Sequence, residues 1–325
     1  MNNFKPFVGQ HCETTATGTL LAHIGIELSE PMLFGLGEGL SFIYWNMRTM
    51  DFPFLGGRIK TDLLTRHICS NLGLQLSVHE TSSKAKAWQN VKQLLDAGRP
   101  VGLKLDAYYL EYFTNPFHFA GHYVAIYGYD DNYAYLVDTR QQGGRVRTSL
   151  ESLALARAEK GPMSSKNLYY TIGRCETDFD LKKAVLAAIT NNAQEYLNPA
   201  IRNIAYKGIL HASKEVIKWY NTSKHIESEF KMAANLMEKA GTGGALFRNL
   251  YRDFLLESHH LLAIEQLGLV YQEFVQIASW WTSLSELFNS ISQNANLDDV
   301  QQASEIFKTL AAKEKNAMEI LASLG

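Results

Sequence analysis

Three residue types that together can run nucleophilic acyl chemistry occur in this chain in the order Cys12, His122, Asp138. A thiol attacks a carbonyl as its thiolate. An imidazole can take and return the proton, and a carboxylate can hold that imidazole in the required tautomer. Cys12 falls where an irregular N-terminal segment meets the start of a helical pattern. A helix N-terminus carries partial positive charge and unpaired N–H groups, which stabilise a thiolate and can bind a developing oxyanion. In mid-helix the same residue is usually a small hydrophobe. Cys69 shares an apolar helical stripe with Ile68 and Leu72 and reads as core, and Cys175 has no base in view. Positions 12, 69 and 175 fit neither a disulfide framework nor a zinc site.

The elements that must position these groups are legible in outline. Residues 12–27 read as a helix, with Leu20, Leu21, Ile24 and Leu28 at helical spacing. HYVAIYGYDDNYAYLVDT (122–139) reads as a hairpin turning at Tyr129–Tyr133. If Gly128 pairs with Ala134, Val124 faces Asp138 and His122 faces Arg140. His122 and Asp138 are then diagonal neighbours on one face, and an odd pairing sum would put them on opposite faces. FGLGEGLSFIYW (34–45) is Gly-rich and then strand-like. A stripe from Ile59 to Leu72 and the segment 88–98 read as helices, and 74–80, 101–106 and 168–173 as strands. A helix followed by mostly antiparallel strands indicates α+β rather than a doubly wound sheet.

Composition divides the chain. Residues 1–174 hold 17 of the 23 glycines and six of the seven prolines. Their loss places a boundary near 172–180, with domains 1–175 and 176–325. The second half reads as an all-α bundle with helices at about 178–196, 200–221, 224–240, 245–262, 264–292 and 298–323, the last with Asp298 or Asp299 near its N-cap. A net charge of −2 argues against a nucleic-acid partner. The start MNNFKPFVGQHCETT lacks an apolar core, and no stretch approaches the roughly 18 apolar residues of a membrane span. A cytoplasmic protein is the expectation.

Other motifs carry weaker chemistry. GLGEGL (35–40) lacks the ending of a phosphate loop, and its glycines permit close backbone approach, with Glu38 a candidate to face a substrate pocket. GTGG (241–244) breaks two helices, and Arg248 and Arg252 share the next helix face. That face either holds a pantetheine phosphate or an acidic carrier protein, or is salt-bridged. Tyr108, Tyr109, Tyr112, Phe113, Phe117 and Phe119 precede His122 and either line an acyl pocket or cover the sheet. Glu257 and His260 form half of a di-iron motif without a second copy, and no metal is expected.

The order of nucleophile, His and Asp resembles papain-like cysteine enzymes, which place the cysteine at the head of the first helix and the His and Asp/Asn on adjacent strands. Those enzymes carry an oxyanion-hole Gln about six residues before the nucleophile. Here that position is Pro6, and Gln10 is the one Gln nearby. More specifically, GQHCETTATGTLL (9–21), LFGLGEGLSFIYW (33–45), GHYVAIYGYDD (121–131) and YLVDT (135–139) resemble the N-terminal domain of butirosin biosynthesis protein H. GTGGALFRNLYRDFLLE (241–257) resembles the helical domain that follows it in that family. The resemblance implies a papain-like (cysteine-peptidase-like) N-terminal domain with an antiparallel sheet, then an all-α domain. It implies an acyltransferase with no bound cofactor. The donor would be the phosphopantetheine thioester of an acyl carrier protein, and the acceptor an amine of a small molecule in specialised metabolite biosynthesis. The same triad serves a cysteine peptidase or amidase, and a non-catalytic binding protein is a third alternative. The helical half is compatible with a homodimer and equally with a roof over the site.

Overall fold

The computed structural model describes residues 4–48, 50–161, 163–175 and 179–325. Residues 176–178, inside the expected boundary, lie outside the described residues. In chain order the helices are α1 (Cys12–His23), α2 (Glu30–Leu36), α3 (Leu63–Asn71), α4 (Lys84–Asp96), α5 (Leu150–Ala158), α6 (Leu181–Leu197), α7 (Ala205–Thr222), α8 (Ile226–Glu238), α9 (Arg248–Leu262), α10 (Glu265–Asn294) and α11 (Leu297–Ala322). The strands are β1 (Leu40–Trp45), β2 (Phe54–Arg58), β3 (Gln75–His79), β4 (Val101–Leu105), β5 (His122–Tyr129), β6 (Tyr133–Val137), β7 (Arg145–Ser149) and β8 (Tyr169–Gly173). The chain is α+β, an antiparallel sheet in its first half and helices in its second. It gathers into two compact units, Met1–Leu33 with Ile68–Phe179, and Phe34–His67 with Asp180–Gly325.

The first unit is built on a sheet ordered β3-β8-β4-β5-β6-β7, antiparallel throughout. Val91 and Leu95 of α4 and Leu153 and Ala156 of α5 bury against Leu103, Val124, Ile126 and Leu136. Central β4 is buried at every position, Lys104 included, so burial does not alternate along it.

Helix α1 is buried from Cys12 to Leu21, yet four of those residues are threonines. Buried hydroxyls need partners. The Thr15 hydroxyl accepts from Gly9 N–H (3.2 Å), and the Thr19 hydroxyl accepts from Phe7 N–H (3.2 Å) and donates to Phe7 C=O (3.1 Å). The Thr17 and Tyr170 hydroxyls meet at 3.1 Å. The segment before Cys12 is thereby laced along the helix that Cys12 opens. The helix ends at His23 rather than at 27, because Gly25 takes a left-handed conformation (φ 76°) and Ile26 N–H bonds back to Leu21 C=O.

The second unit packs the β1–β2 hairpin with helices α6–α11. In β1, Leu40, Phe42 and Tyr44 are buried. Phe42 packs on Trp281 (5.6 Å between ring centres) and Tyr44 on His211, while Leu40 C=O accepts from the Asn192 amide and Tyr44 N–H donates to Asn203 C=O. The segment 34–67, which composition assigns to the first domain, therefore shares the core of the helices. Asn296, not Asp298 or Asp299, caps α11, accepting from Asp298 N–H. The two aspartates occupy the first turn, where they complement the helix dipole.

A Cβ built on Gly102 would lie 2.1 Å from the Tyr170 ring. Gly102→Ala is expected to destabilise the protein by about 1–3 kcal/mol, measured as a fall in the urea midpoint at constant slope.

Candidate active site

Cys12 is the first residue of α1 and is 6% exposed. His11 caps the helix with extended backbone, and its side chain makes no capping bond to the first turn. The first-turn N–H groups, that of Cys12 among them, thus lie outside the helical ladder.

His122 begins β5, and Asp138 follows the last residue of β6. Near the site the strands pair Ala125 with Val137 and Ile126 with Leu136, an even residue-number sum that continues to Val124 opposite Asp138. Near the turn the pairs are Gly128 with Tyr135 and Tyr129 with Ala134. The Gly128–Ala134 pair expected from sequence does not form, because a bulge beside Tyr127 inserts one residue. The bulge lies between turn and site, so the face shared by His122 and Asp138 survives it.

His122 Nε2 donates to Asp138 Oδ2 at 2.8 Å, with the histidine 7% exposed and the aspartate fully buried. His122 is also hydrogen-bonded to Cys12. That bond falls to Nδ1, since Nε2 is committed to the carboxylate. Burial works against charge on the ring, the largest single influence. The Asp138 carboxylate, its hydrogen bond and the adjoining Cys12 together outweigh it and push the His122 pKa up to about 10.

Tyr112 and Phe113, named from sequence only within the aromatic run, and Glu30, not named from sequence, complete the surroundings. Tyr112 donates its hydroxyl to Asp138 Oδ2 at 2.7 Å, and burial, with the adjacent carboxylate, raises its pKa well above the usual phenol value. The aromatic run pointed to this segment but not to which ring turns inward. Phe113, its neighbour, meets the His122 ring edge-on at 5.5 Å. Glu30 accepts from Gln10 N–H and His11 N–H, both at 2.8 Å. Nothing in the helical pattern around it signals that role.

The other candidates are placed as follows. Gln10 is exposed, and its N–H is held by Glu30. Tyr108 is 43% exposed and stacks on His118 at 3.9 Å. Glu38 belongs to the second unit, where it is buried with positive φ (51°), accepts from the Asn191 amide and pairs with His67 at 3.2 Å. Arg248 is fully buried and forked onto Glu314 (2.8 and 2.9 Å), with Nη1 on Gly57 and Leu246 carbonyls. It has no open face for an acidic carrier. Arg252 bonds to Asp253 and Asn249. The salt-bridged alternative is the one observed for both arginines.

Among the described residues, Asp106, His118 and Glu159 bring their ligand-type atoms within 4.8 Å of one another. Their bonds organise the segment leading to His122. Asp106 accepts from Tyr108 and Phe119 N–H groups and pairs with His118, and Glu159 accepts from the Tyr109 hydroxyl. Cys69 is buried, and burial pushes its thiol up to about 12, while Cys175 is exposed. No helix among the described residues is long and apolar enough to cross a membrane.

Comparison with known proteins gives two family matches. The family described as butirosin biosynthesis protein H, N-terminal, matches residues 11–139, a span that contains Cys12, His122 and Asp138. A domain of unknown function (DUF4872) matches residues 151–321. No curated protein matches the chain.

The elevated His122 pKa has a signed consequence. The folded state holds the imidazolium above the ordinary 6.5, so its contribution to stability is complete below about pH 6.5 and is lost as pH rises through about 10. Asp138→Asn removes the larger attraction and leaves burial opposed by Cys12 alone. The His122 ring-proton NMR titration should then move below pH 10, and the fall in stability between pH 6.5 and 10 should flatten. An unmoved titration would show that Asp138 does not hold the proton.

Proposed function

We propose an acyl-transfer reaction at Cys12 for this chain, which belongs to the butirosin biosynthesis protein H-like family. The family makes it a biosynthetic enzyme of acyl-transfer type. The single observation that supports the finer reading is His122 bonded to Cys12 on one side and to buried Asp138 on the other. A papain-like descent of the first unit agrees with this order of groups.

The proposed cycle starts from a Cys12 thiolate beside the His122 imidazolium. The sulfur attacks the carbonyl of a thioester, and the developing oxyanion meets the Cys12 N–H at the head of α1. The carbon–sulfur bond to the donor breaks, and His122 gives its Nδ1 proton to the departing thiolate. An amine then attacks the Cys12 acyl-enzyme while His122, now neutral, takes an N–H proton. The Cys12–acyl bond breaks, the amide leaves, and the thiolate–imidazolium pair is restored. Asp138 keeps Nε2 protonated throughout, so Nδ1 always exchanges the proton. Thioester to thioester to amide is downhill, which leaves positioning and proton transfer as the demands on the protein. We assign the donor to the phosphopantetheine arm of an acyl carrier protein and the acceptor to a small-molecule amine.

Incubation with an acyl-pantetheine thioester, followed by intact-mass analysis, tests the covalent step. The wild type is expected to gain one acyl group and to release it as amide when amines are added. Cys12→Ala should gain none, and transfer should fall by about 10³-fold or more. An adduct that persists in Cys12→Ala would sink the reading. Release as free acid at the same rate with and without amines would assign a hydrolase instead.

A further inference from the structure

We propose that Glu30 is the positioning residue for the nucleophile, fixing the segment Gly9–His11 and through it the orientation of Cys12. The inference rests on the acyl-transfer reading of Cys12 and adds to it a residue from a different helix.

The carboxylate at the start of α2 reaches the loop that feeds α1. Glu30 Oε1 accepts from Gln10 N–H, from His11 N–H and from the Thr14 hydroxyl, each at 2.8 Å, and Oε2 lies 2.8 Å from Gln10 N. Two consecutive N–H groups aimed at one carboxylate fix the peptide planes immediately before Cys12. The carboxylate also packs on Gly9, where an added Cβ would sit 2.5 Å from Oε1. Gly9 is held on its other sides, its N–H by the Thr15 hydroxyl and its carbonyl by Arg140 N–H at 2.8 Å. Arg140 lies two residues beyond Asp138, so this loop ties the nucleophile's backbone to the strand end that carries the carboxylate.

Removing Glu30 should leave α1 in place. The helix is buried along most of its length and retains the bonds of Thr15, Thr17 and Thr19. What is released is the peptide that orients the Cys12 N–H and the start of its side chain. Displacements of about 1 Å at a reacting group can cost about 10²-fold in rate.

Glu30→Ala is therefore expected to lower kcat for transfer from an acyl-pantetheine thioester by about 10²-fold, with the KM for the thioester little changed. Iodoacetamide labelling of the Cys12 peptide, followed by mass spectrometry, should slow at neutral pH. Glu30→Gln keeps an acceptor oxygen for the three Oε1 donors and should recover most of both rates. Gly9→Ala should be damaging alone but neutral in a Glu30→Ala background, where its methyl has no carboxylate to displace. Wild-type turnover and labelling in Glu30→Ala, or strict additivity with Gly9→Ala, would overturn the assignment. If Glu30→Ala does not fold, Gly9→Ala decides, and wild-type labelling in it counts against the clamp. Cys12→Ala separates the two readings. Activity surviving there removes the acyl-enzyme, whereas loss there with an unimpaired Glu30→Ala removes the clamp alone.

Discussion

A carboxylate sealed from water must find all its donors inside the fold, and Asp138 is such a group. It is fully buried and receives Thr139 N–H on Oδ1 and both Tyr112 Oη–H and His122 Nε2–H on Oδ2. Leaving any of these positions empty would cost about 1–3 kcal/mol for a neutral donor and more for a charged one. The three donors come from different places, the next residue of the chain, the loop after β4 and the first residue of β5. One charge therefore selects the register at the base of the hairpin, the path of the 107–121 segment and the orientation of the imidazole. Asp106 does the same work at the ends of that segment, holding Tyr108 and Phe119 N–H groups from one oxygen.

Cys12 is placed by polar means as well. α1 has little amphipathic character because it is covered on nearly every side, so an apolar stripe cannot set its rotation. Threonine hydroxyls do so instead. They bind the segment from Phe7 to Gly9 on one flank and Tyr170 of β8 on another. This explains a helix rich in β-branched residues of modest helical propensity. Their side chains supply specific partners in a buried site, and the geometry they hold is worth more than the propensity they lose.

Much of this was legible in the residues, and the failures have physical causes. The helices of the second half appear within a few residues of their expected positions because their apolar spacing is long and regular. The His122–Asp138 relation was legible because period-two alternation links positions along a strand. The bulge beside Tyr127 was not, since inserting a residue leaves no compositional mark. Residues 34–67 were assigned with the first half on glycine content, a local quantity. Their place is decided by Phe42, Tyr44 and Leu40 meeting residues more than 150 positions away, which composition does not encode. For Arg248 the spacing offered an anion-holding or a salt-bridged face, and it did not show that the partner would be Glu314, 66 residues on, within the core. Glu30 gave no sign because its partners, the Thr14 hydroxyl aside, are backbone N–H groups, which every sequence possesses.

The proton economy of the proposed cycle follows from the same burial. In the resting pair, two attractions hold the His122 proton against desolvation, one from Asp138 and one from Cys12. Acylation removes the second, because a sulfur bearing an acyl group carries no charge. Burial then opposes Asp138 alone, and the ring releases its proton more readily just as the donor's thiolate needs one. The neutral ring that remains is the base required by the incoming amine. When the amide departs, the thiolate returns and the proton is again held firmly. A histidine in water would lack the desolvation that makes its affinity depend so strongly on the charge of one neighbour. In the proposed cycle the buried carboxylate therefore has a second consequence beyond orientation, because it allows a ring in a dry site to carry charge, with the acylation of Cys12 setting when it does.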